Sequence, residues 1–598
     1  SSKDYVKAQT LLQSLRLNVV KERHLKTLLI DLAEVAAASG DQQASIRHYV
    51  TFAQLYPQDA RMTDVRFRLG ELSVATGGHE AAIDWYQAIF DSPAASANQK
   101  FEAAIRMGWI CRDPLKVFER AIGYYERASG LEVDDEHKAR AYFNRAECLV
   151  QLSNFTEAAA QFAYVADQYK TTTLAPEARY QEALAHTQSR LYERASLAFA
   201  MYLERYSEGE RAQSALLEKG LAERRGGLDT QARATLLHFV DSYPEHPKAA
   251  LALLRASEAA SALGLHLDAI DLLSRIIESY PNEKEYPYAL YKRAYIRMYD
   301  ESAYYEQAVA DCIAFYDKYG AFMPELAPNV LMWLGDSYAA RNQYDEAGKY
   351  FSLITRNFPT SPDAPAALYE VARNAFRRKQ LEEAKEALAR LRRDYPDASS
   401  QIMAQANYLT GDMEADQGNY QAAVEAFTLV QQLQPQTTIA FAAKGRIGEC
   451  YYNLGNNLEQ PEEAETYYRQ AIEQFDAIVE ANESDPRARS LVEKAHYRLG
   501  KVYEVLGDID RAREHYKSIF FIYQSRATSG AILDDYYFGR TGYALSRICL
   551  ENHEYKSAIA ILDLMVKADL PYSADAAKRK EQIEQLLNST APTTPSTP

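Results

Sequence analysis

The sequence predicts an all-α solenoid in which antiparallel helix pairs stack along the chain. The first observation is a repeated step, because thirty-seven residues separate Ala158, Ala195, Ala232 and Ala269 from one another. A fixed period of this size is typical of stacked supersecondary units. The second observation is a set of residue types that keeps step with these alanines. The third is an aromatic–proline pair that closes many of the units.

The alanine register continues in both directions. With steps mostly of 36 to 39 residues, it includes Ala8, Ala44, Ala82, Ala121, Ala308, Ala347, Ala384, Ala423, Ala471, Ala512 and Ala558. A small residue stands twelve positions before the alanine and a bulky, mostly aromatic one four positions after it, as in Gly335, Ala347 and Phe351. Apolar offsets of four and seven lie on one helical face. One such pair cannot bury that face alone, so the pairs must stack.

The ends of the predicted helices are also visible. Polar turns such as Arg341–Gln343 separate the first helix of a pair from the second. The second helix then stops at Tyr56-Pro57, Tyr243-Pro244, Tyr280-Pro281, Phe358-Pro359 and Tyr395-Pro396. Proline ends a helix because it lacks an N–H group and disfavours α geometry in the preceding residue.

The register divides the chain into four parts. These are an unpaired opening helix of a truncated repeat over 1–17, about fourteen helix pairs over 18–571, a capping helix over 572–587, and a disordered Ser/Thr/Pro-rich tail over 588–598. Three irregular stretches, 91–99, 456–461 and 524–535, are expected to lengthen connections between helices.

One segment carries the repeat pattern most completely, with Trp333-Leu334-Gly335, Tyr338, Tyr344, Ala347, Phe351 and Pro359. At these residues the chain resembles the tetratricopeptide repeat family. The resemblance spans about residues 4–571 and implies a right-handed superhelix whose first helices line a concave groove. The period exceeds the usual 34 residues of the family. Long helices ending in Tyr-Pro are similar to its bacterial-envelope branch, which includes outer-membrane assembly lipoproteins and the periplasmic protein of the Tol-Pal system.

Composition excludes several classes of function. The net charge of −16 argues against nucleic-acid binding, which needs a basic stripe. No apolar run of about 18 residues occurs, so no membrane span is expected. The five cysteines are at least 37 residues apart, which excludes a CxxC site and is typical of buried thiols. Phosphate-loop, dinucleotide, nucleophile-elbow and HExxH motifs are absent, so we expect no enzyme, no metal and no cofactor.

One surface pattern gives candidate binding residues. An acid follows the small residue of the first helix at Glu71, Glu147, Glu258, Asp336, Asp412 and Glu449, and an aromatic stands four residues earlier at Phe67, Phe143 and Tyr408. Residues i and i+4 share a helical face. The pattern indicates either an acidic, aromatic groove for a basic or aromatic segment of another protein, or aromatics that pack and acids that keep the surface soluble.

Three functions fit these observations. The first is a non-catalytic protein-interaction scaffold in a bacterial cell-envelope or surface complex, in the periplasm or at the cell surface. The second is a carbohydrate- or peptidoglycan-binding protein that stacks sugars on tyrosine. The third is the regulatory region of a larger enzyme or transcription factor, in the cytoplasm. None of them calls for a small-molecule ligand.

Overall fold

The computed structural model describes residues 5, 7, 8, 10–12, 22–299, 304–482, 488–527, 535–568 and 570–590. Helices and turns account for these residues, and no β-strand occurs among them. The all-α fold class that the sequence predicts is therefore confirmed. The expected opening helix falls mostly outside the described residues, as do positions 591–598 of the expected tail.

The chain divides into two compact units, Ser1–Asp311 and Cys312–Pro598. The helices of unit 1 are α1 (Glu22–Ala38), α2 (Gln42–Leu55), α3 (Met62–Ala75), α4 (His79–Phe90), α5 (Ala97–Arg112), α6 (Phe118–Ser129), α7 (Asp135–Gln151), α8 (Phe155–Gln168), α9 (Ala175–Gln188), α10 (Tyr192–Arg205), α11 (Ala212–Arg225), α12 (Asp229–Ser242), α13 (Ala249–Ala262), α14 (His266–Ser279) and α15 (Tyr286–Tyr299). The boundary between the units falls within α16 (Tyr305–Tyr319).

Unit 2 continues the same alternation of first and second helices. Its helices are α17 (Ala327–Ala340), α18 (Tyr344–Asn357), α19 (Ala364–Arg377), α20 (Leu381–Asp394), α21 (Ser400–Asp416), α22 (Tyr420–Leu433), α23 (Thr438–Asn456), α24 (Pro461–Asn482), α25 (Arg489–Val505), α26 (Ile509–Ala527), α27 (Asp535–Glu551), α28 (Tyr555–Lys567) and α29 (Ser573–Thr590). Odd-numbered helices are first helices of a pair and even-numbered ones are second helices. Helix α29 follows the last pair and continues to Thr590, three residues past the predicted cap.

The core of each pair is an aromatic ring set against a small residue. A Cβ atom added to Gly335 of α17 would lie 2.4 Å from the ring of Phe351 on α18. Gly70 and Tyr86 have the same relation in unit 1. The rings and the alanine Ala347 are at most 2% exposed. The small residue therefore lets the two helices approach closely, and the ring fills the space above it.

Turns and helix ends follow the predicted chemistry. Asn342, in the turn after α17, has a φ of 60°, which lets Gln343 donate its N–H to the carbonyl of Tyr338 at 2.9 Å. The tyrosine of the aromatic–proline pair has a further role, because the Tyr395 hydroxyl donates to the Pro359 carbonyl of the preceding unit at 3.0 Å. This hydrogen bond ties successive repeats together.

The irregular stretch at 456–461 differs from its prediction. The extra residues do not form a long connection but extend both helices of the pair, so that α23 has 19 residues and α24 has 22. Most other helices have 14. Added helical turns keep their backbone groups hydrogen-bonded, whereas a longer loop would expose them. Of the other two stretches, 91–96 is a connection as expected, and 528–534 lies outside the described residues.

Within each unit, first helices also approach one another. Helices α5 and α7, α7 and α9, and α11 and α13 are in contact in unit 1, and successive first helices from α17 to α27 are in contact in unit 2. No comparable contact joins second helices in the described part of the chain. In a curved stack the closer elements lie on the inner side. The first helices therefore line the concave side of each unit.

Candidate partner-binding surface

The six predicted acids all lie on first helices, and cations of neighbouring first helices reach most of them. Glu71 of α3 contacts Arg106 of α5 at 2.9 Å, and Asp412 of α21 contacts Arg446 of α23 at 2.9 Å. The remaining contacts of this kind are Glu147 with Arg112 at 2.5 Å, Glu258 with Lys292 at 3.1 Å, and Glu449 with Lys494 and Arg498 at 3.0 Å each. Asp336 is exposed, with Arg373 of the next first helix as a more distant cation.

These ion pairs correct the expected acidic character of the groove. The sequence interpretation counted charges at one position of each first helix. Most of the cations stand at another position of the first helix, three residues before the position that the acids occupy. Arg255 stands in this way before Glu258, and Arg446 before Glu449. From there each reaches the acid of the same or the preceding first helix. In each unit, the concave side therefore has mostly paired charges rather than an acidic stripe.

The surroundings shift the pKa values of the acids in opposite directions. Burial raises the pKa of Asp412 and of Glu147, although an arginine beside each carboxylate opposes the shift. Burial alone would also raise the pKa of Glu449, but Arg498, Lys494 and Arg446 together lower it. The cations thus keep Glu449 ionised in a largely buried position.

The predicted aromatic side chains mainly pack in the core. Phe143 is 8% exposed and packs edge-on against Phe162 with ring centroids 5.1 Å apart. Tyr408 meets Phe427 in the same way at 5.2 Å, and half-buried Phe67 lies 6.0 Å from Tyr86. Phe143 and the buried Glu449 thus have little surface for a partner. Partner binding by the other candidate residues stays a prediction.

Unit 1 has a cavity of about 740 Å³ that opens among its first helices. Helix α13 contributes Ser257, Glu258, Ser261 and Ala262, α15 contributes Tyr291, Lys292, Tyr295 and Ile296, α14 contributes His266 and Leu273, and α11 contributes Arg224. Ser257 and Leu273 occupy the register positions that Gly335 and Phe351 occupy in a later pair, and both line the cavity.

The polar groups of the cavity are held in place by ion pairs. Arg255 and Lys292 contact the Glu258 carboxylate at 2.8 and 3.1 Å, and together they lower its pKa against the effect of burial. Arg224 contacts Asp229 at 3.0 Å. A fixed, mixed-charge rim around an apolar floor suits a ligand with both apolar and polar groups.

A row of tyrosines continues from the cavity along α15. Tyr288, Tyr291, Tyr295 and Tyr299 are spaced by three, four and four residues, which places them on one helical face. Tyr295 is 46% exposed and Tyr299 is 53% exposed, and their ring centroids are 5.1 Å apart. The sequence interpretation did not single out this row. The tyrosine density of residues 286–299 is the signal that could have identified this site.

Metal-binding clusters, cysteines and membrane-spanning helices can each be checked among the described residues. These residues include no group of three or more His, Cys, Asp and Glu side chains that could hold a metal ion. All five cysteines are buried, as expected for packing residues. Among the helices in the described part of the chain, none combines the length and the apolar character that crossing a bilayer requires.

Comparison with protein-family models gives the same repeat as the sequence resemblance. Models of the tetratricopeptide repeat match residues 118–171, 369–436 and 457–525, and a second such model matches residues 214–246, 251–283 and 329–361. These segments are similar to tetratricopeptide repeats. Proteins built from such repeats generally act as protein-interaction scaffolds, with the concave side of the stack as a binding surface. A comparison with curated proteins finds none that matches the sequence.

Several solved structures match the chain at low identity and low TM-score. The Cut9–Hcn1 hetero-tetramer of APC/C has 12% identity and a TM-score of 0.30, covering 89% of this chain and 98% of that one. Yeast Tom70 has 14% identity and a TM-score of 0.30, with coverage of 89% and 97%. A tetratricopeptide repeat protein of Parabacteroides merdae has 13% identity and a TM-score of 0.27, with coverage of 46% and 98%. At these TM-scores, none of them bears on the function of this chain.

Proposed function

We propose that the protein is a non-catalytic scaffold that binds segments of other proteins on the concave sides of its repeats. The observation that carries this proposal is the cavity of unit 1 with its row of exposed tyrosines. Amphipathic aromatic side chains supply large contact areas at low entropic cost and are enriched in protein interfaces. A partner segment with an aromatic or aliphatic anchor fits the apolar floor at Leu273 and Ile296.

The charges of the cavity are largely paired within the site. Glu258 is the carboxylate that lines it among the described residues, and its pKa is lowered, so it stays ionised at neutral pH. Arg255 and Lys292 already contact this carboxylate, so the apolar floor and the tyrosine row, rather than net charge, select the partner. Of the expected basic or aromatic partner segments, an aromatic one therefore fits the site around α13 and α15 better.

We further propose a bacterial cell envelope or surface complex as the setting, in the periplasm or at the cell surface. The support is the sequence style of the repeats, in which long second helices end in a tyrosine–proline pair. Fractionation of the source cells, with the full-length protein detected by antibody, tests this setting. Recovery with the cytoplasmic fraction would contradict it and leave the scaffold proposal standing.

A photo-crosslinking side chain placed at Tyr295 in living cells tests the binding site. The matched control carries the same group at Asp271, which is exposed on the second helix α14. We expect protein adducts from position 295 and not from position 271, and we expect Tyr291→Ala to abolish co-purification of the partner so identified. Equal adducts from both positions would refute the proposed site.

Carbohydrate binding is the second candidate, because the exposed ring faces of Tyr295 and Tyr299 could also stack on sugars. In the same experiment, adducts that contain glycan fragments rather than peptides would favour this alternative. Isothermal titration with purified peptidoglycan fragments would then show binding that Tyr295→Ala removes.

A further inference from the structure

The concave side of unit 2 ends in a cleft of a different kind. It has a volume of about 550 Å³ and lies among the first helices α25, α27 and α29, with α28 beneath. Among the described residues, the charged side chains of its lining are four cations, Lys501, Arg540, Arg547 and Arg579, without a carboxylate. In a chain with a net charge of −16, a cleft with this set of charged side chains stands out.

The cations are held so that they face the cleft. The Arg579 guanidinium lies 4.3 Å from the ring centroid of Tyr543, and the Arg540 guanidinium lies 4.4 Å from that of Tyr536. Stacking on a ring fixes a guanidinium plane while leaving its N–H groups free to donate at the edges. Arg540 has no carboxylate within ion-pair distance among the described residues.

The carboxylates near the cleft do not neutralise it. Glu504 is shared between Lys501 at 3.1 Å and Arg547 at 2.7 Å, and its side chain is 15% exposed. Glu551 contacts Arg547 at 3.0 Å, and Asp575 contacts Arg579 at 2.9 Å. Four cations therefore face three carboxylates, and these carboxylates lie outside the lining.

Helix α25 extends the positive surface away from the cleft. Lys494 and Arg498 stand seven and three residues before Lys501, on the same face of the helix. The only carboxylate they contact in the described part of the chain is Glu449. A ligand longer than the cleft would therefore meet further cations along α25.

The floor of the cleft is apolar. It contains Ala544, Leu550, Leu562 and Ile583. Leu562 and Ile583 are at most 6% exposed. An aliphatic side chain can pack on this floor, whereas a sugar–phosphate backbone would gain little from contact with an apolar surface. The rest of the chain is acidic and would repel an extended polyanion, which needs a long basic stripe.

We propose that this cleft binds an acidic protein segment in which aspartate or glutamate side chains flank an aliphatic residue. Side-chain carboxylates of the segment accept from Arg540, Arg547 and Arg579, and its aliphatic residue lies on the floor. The site extends the proposed scaffold function to a second surface. It does not depend on the cavity of unit 1, so Tyr295→Ala is expected to leave it unchanged.

Fluorescence anisotropy tests this with the full chain and a labelled peptide, Glu-Asp-Leu-Glu-Asp-Leu, amidated so that no terminal carboxylate takes part. We expect binding in 50 mM NaCl that weakens about tenfold in 200 mM NaCl, because exposed attraction is screened. The matched peptide with Gln and Asn for Glu and Asp should not bind. Equal binding of the two peptides, or no binding of either, overturns the proposal.

Three variants of the protein distinguish binding in this cleft from a general attraction between opposite charges. Replacing both Arg540 and Arg547 by glutamine should weaken binding at least about tenfold, whereas Arg469→Gln, at a 73% exposed arginine of α24, should have no effect. Glu551→Gln should strengthen binding about twofold or more, because it removes one of the two carboxylates that Arg547 contacts and leaves only Glu504. That gain cannot result from misfolding. Unchanged affinity in the double variant or in Glu551→Gln contradicts the site.

Two competitors distinguish the ligand class. Inorganic phosphate at 5 mM should displace little of the peptide, and a single-stranded oligonucleotide of six bases should bind more weakly than the peptide. Displacement of the peptide by phosphate at that concentration would indicate that the cleft binds anions in general. Tighter binding of the oligonucleotide than of the peptide would indicate that the cleft binds nucleic acid. Either result overturns the proposal of a protein segment.

Discussion

Replacing Gly335 by alanine should destabilise unit 2, although alanine is the better helix former. The added Cβ atom would lie 2.4 Å from the ring of Phe351, which is fully buried. Ordinary contacts between these atoms need about 1 Å more, so the ring or the helix must move within a close-packed interior. Overpacking of this kind costs roughly 1–3 kcal/mol.

The preference of alanine for helices offsets only part of this cost. Replacing a glycine in the interior of a helix gains about 0.5–1 kcal/mol. With midpoints of about 2 kcal/mol for the cost and about 0.75 kcal/mol for the gain, the expected net loss for Gly335→Ala is about 1 kcal/mol. Gly348, on the facing helix α18, gives the matched control, because a Cβ added there would have only one neighbour, the Arg378 side chain at 4.0 Å. Gly348→Ala should therefore stabilise unit 2 by about 0.5–1 kcal/mol.

Urea unfolding followed by circular dichroism measures both changes, and hydrogen exchange in α17 and α18 locates them. The two variants should shift the urea midpoint in opposite directions. Phe351→Leu should partly rescue Gly335→Ala, so the double variant should lose less stability than the sum of the single ones. A Gly335→Ala protein as stable as wild type, or strict additivity in the double variant, would refute the packing argument.

Three further changes test other parts of the structure. His496 and His515 face each other with Nδ1 atoms 3.1 Å apart, and burial followed by the charge of His515 lowers the pKa of His496 from 6.5 to about 4. The unfolded chain therefore takes up the proton first, and stability should fall as pH drops from 6.5 towards 4, by roughly 2 kcal/mol at pH 5. In His496→Gln, urea midpoints at pH 7.5 and 5 should lack this part of the pH dependence. Ala347→Leu should cost about 1–3 kcal/mol in thermal unfolding, whereas the same change at exposed Gln343 should cost under about 0.5 kcal/mol. Glu449→Ala removes the carboxylate that Arg446, Lys494 and Arg498 share. Because Lys494 and Arg498 are 36% exposed and Arg446 keeps Asp412, the urea midpoint should fall by an amount equivalent to only about 1 kcal/mol; an unchanged midpoint would mean that water solvates these cations as well as the carboxylate does.

The repeat and its core were predictable because both depend on local spacing. Positions 335 and 351 meet whenever two helices of standard pitch are joined by a three-residue turn, so their offset of sixteen residues already implies the contact. The helix ends were predictable for the same reason, since proline acts on the residue directly before it. By itself, then, the sequence determined the all-α class, the pairing of helices and the residues of the core.

The candidate surface depended on the tertiary structure. The contact between Glu71 and Arg106 joins side chains thirty-five residues apart, and only the stacking of α3 on α5 decides that they meet. Charge counted at one position of each helix therefore predicted an acidic groove where the structure has paired charges. The cavity at Leu273 and the cationic cleft at α27 likewise form between elements that are separate in sequence. Each depends on which side chains of neighbouring repeats leave space, and no single repeat contains that information.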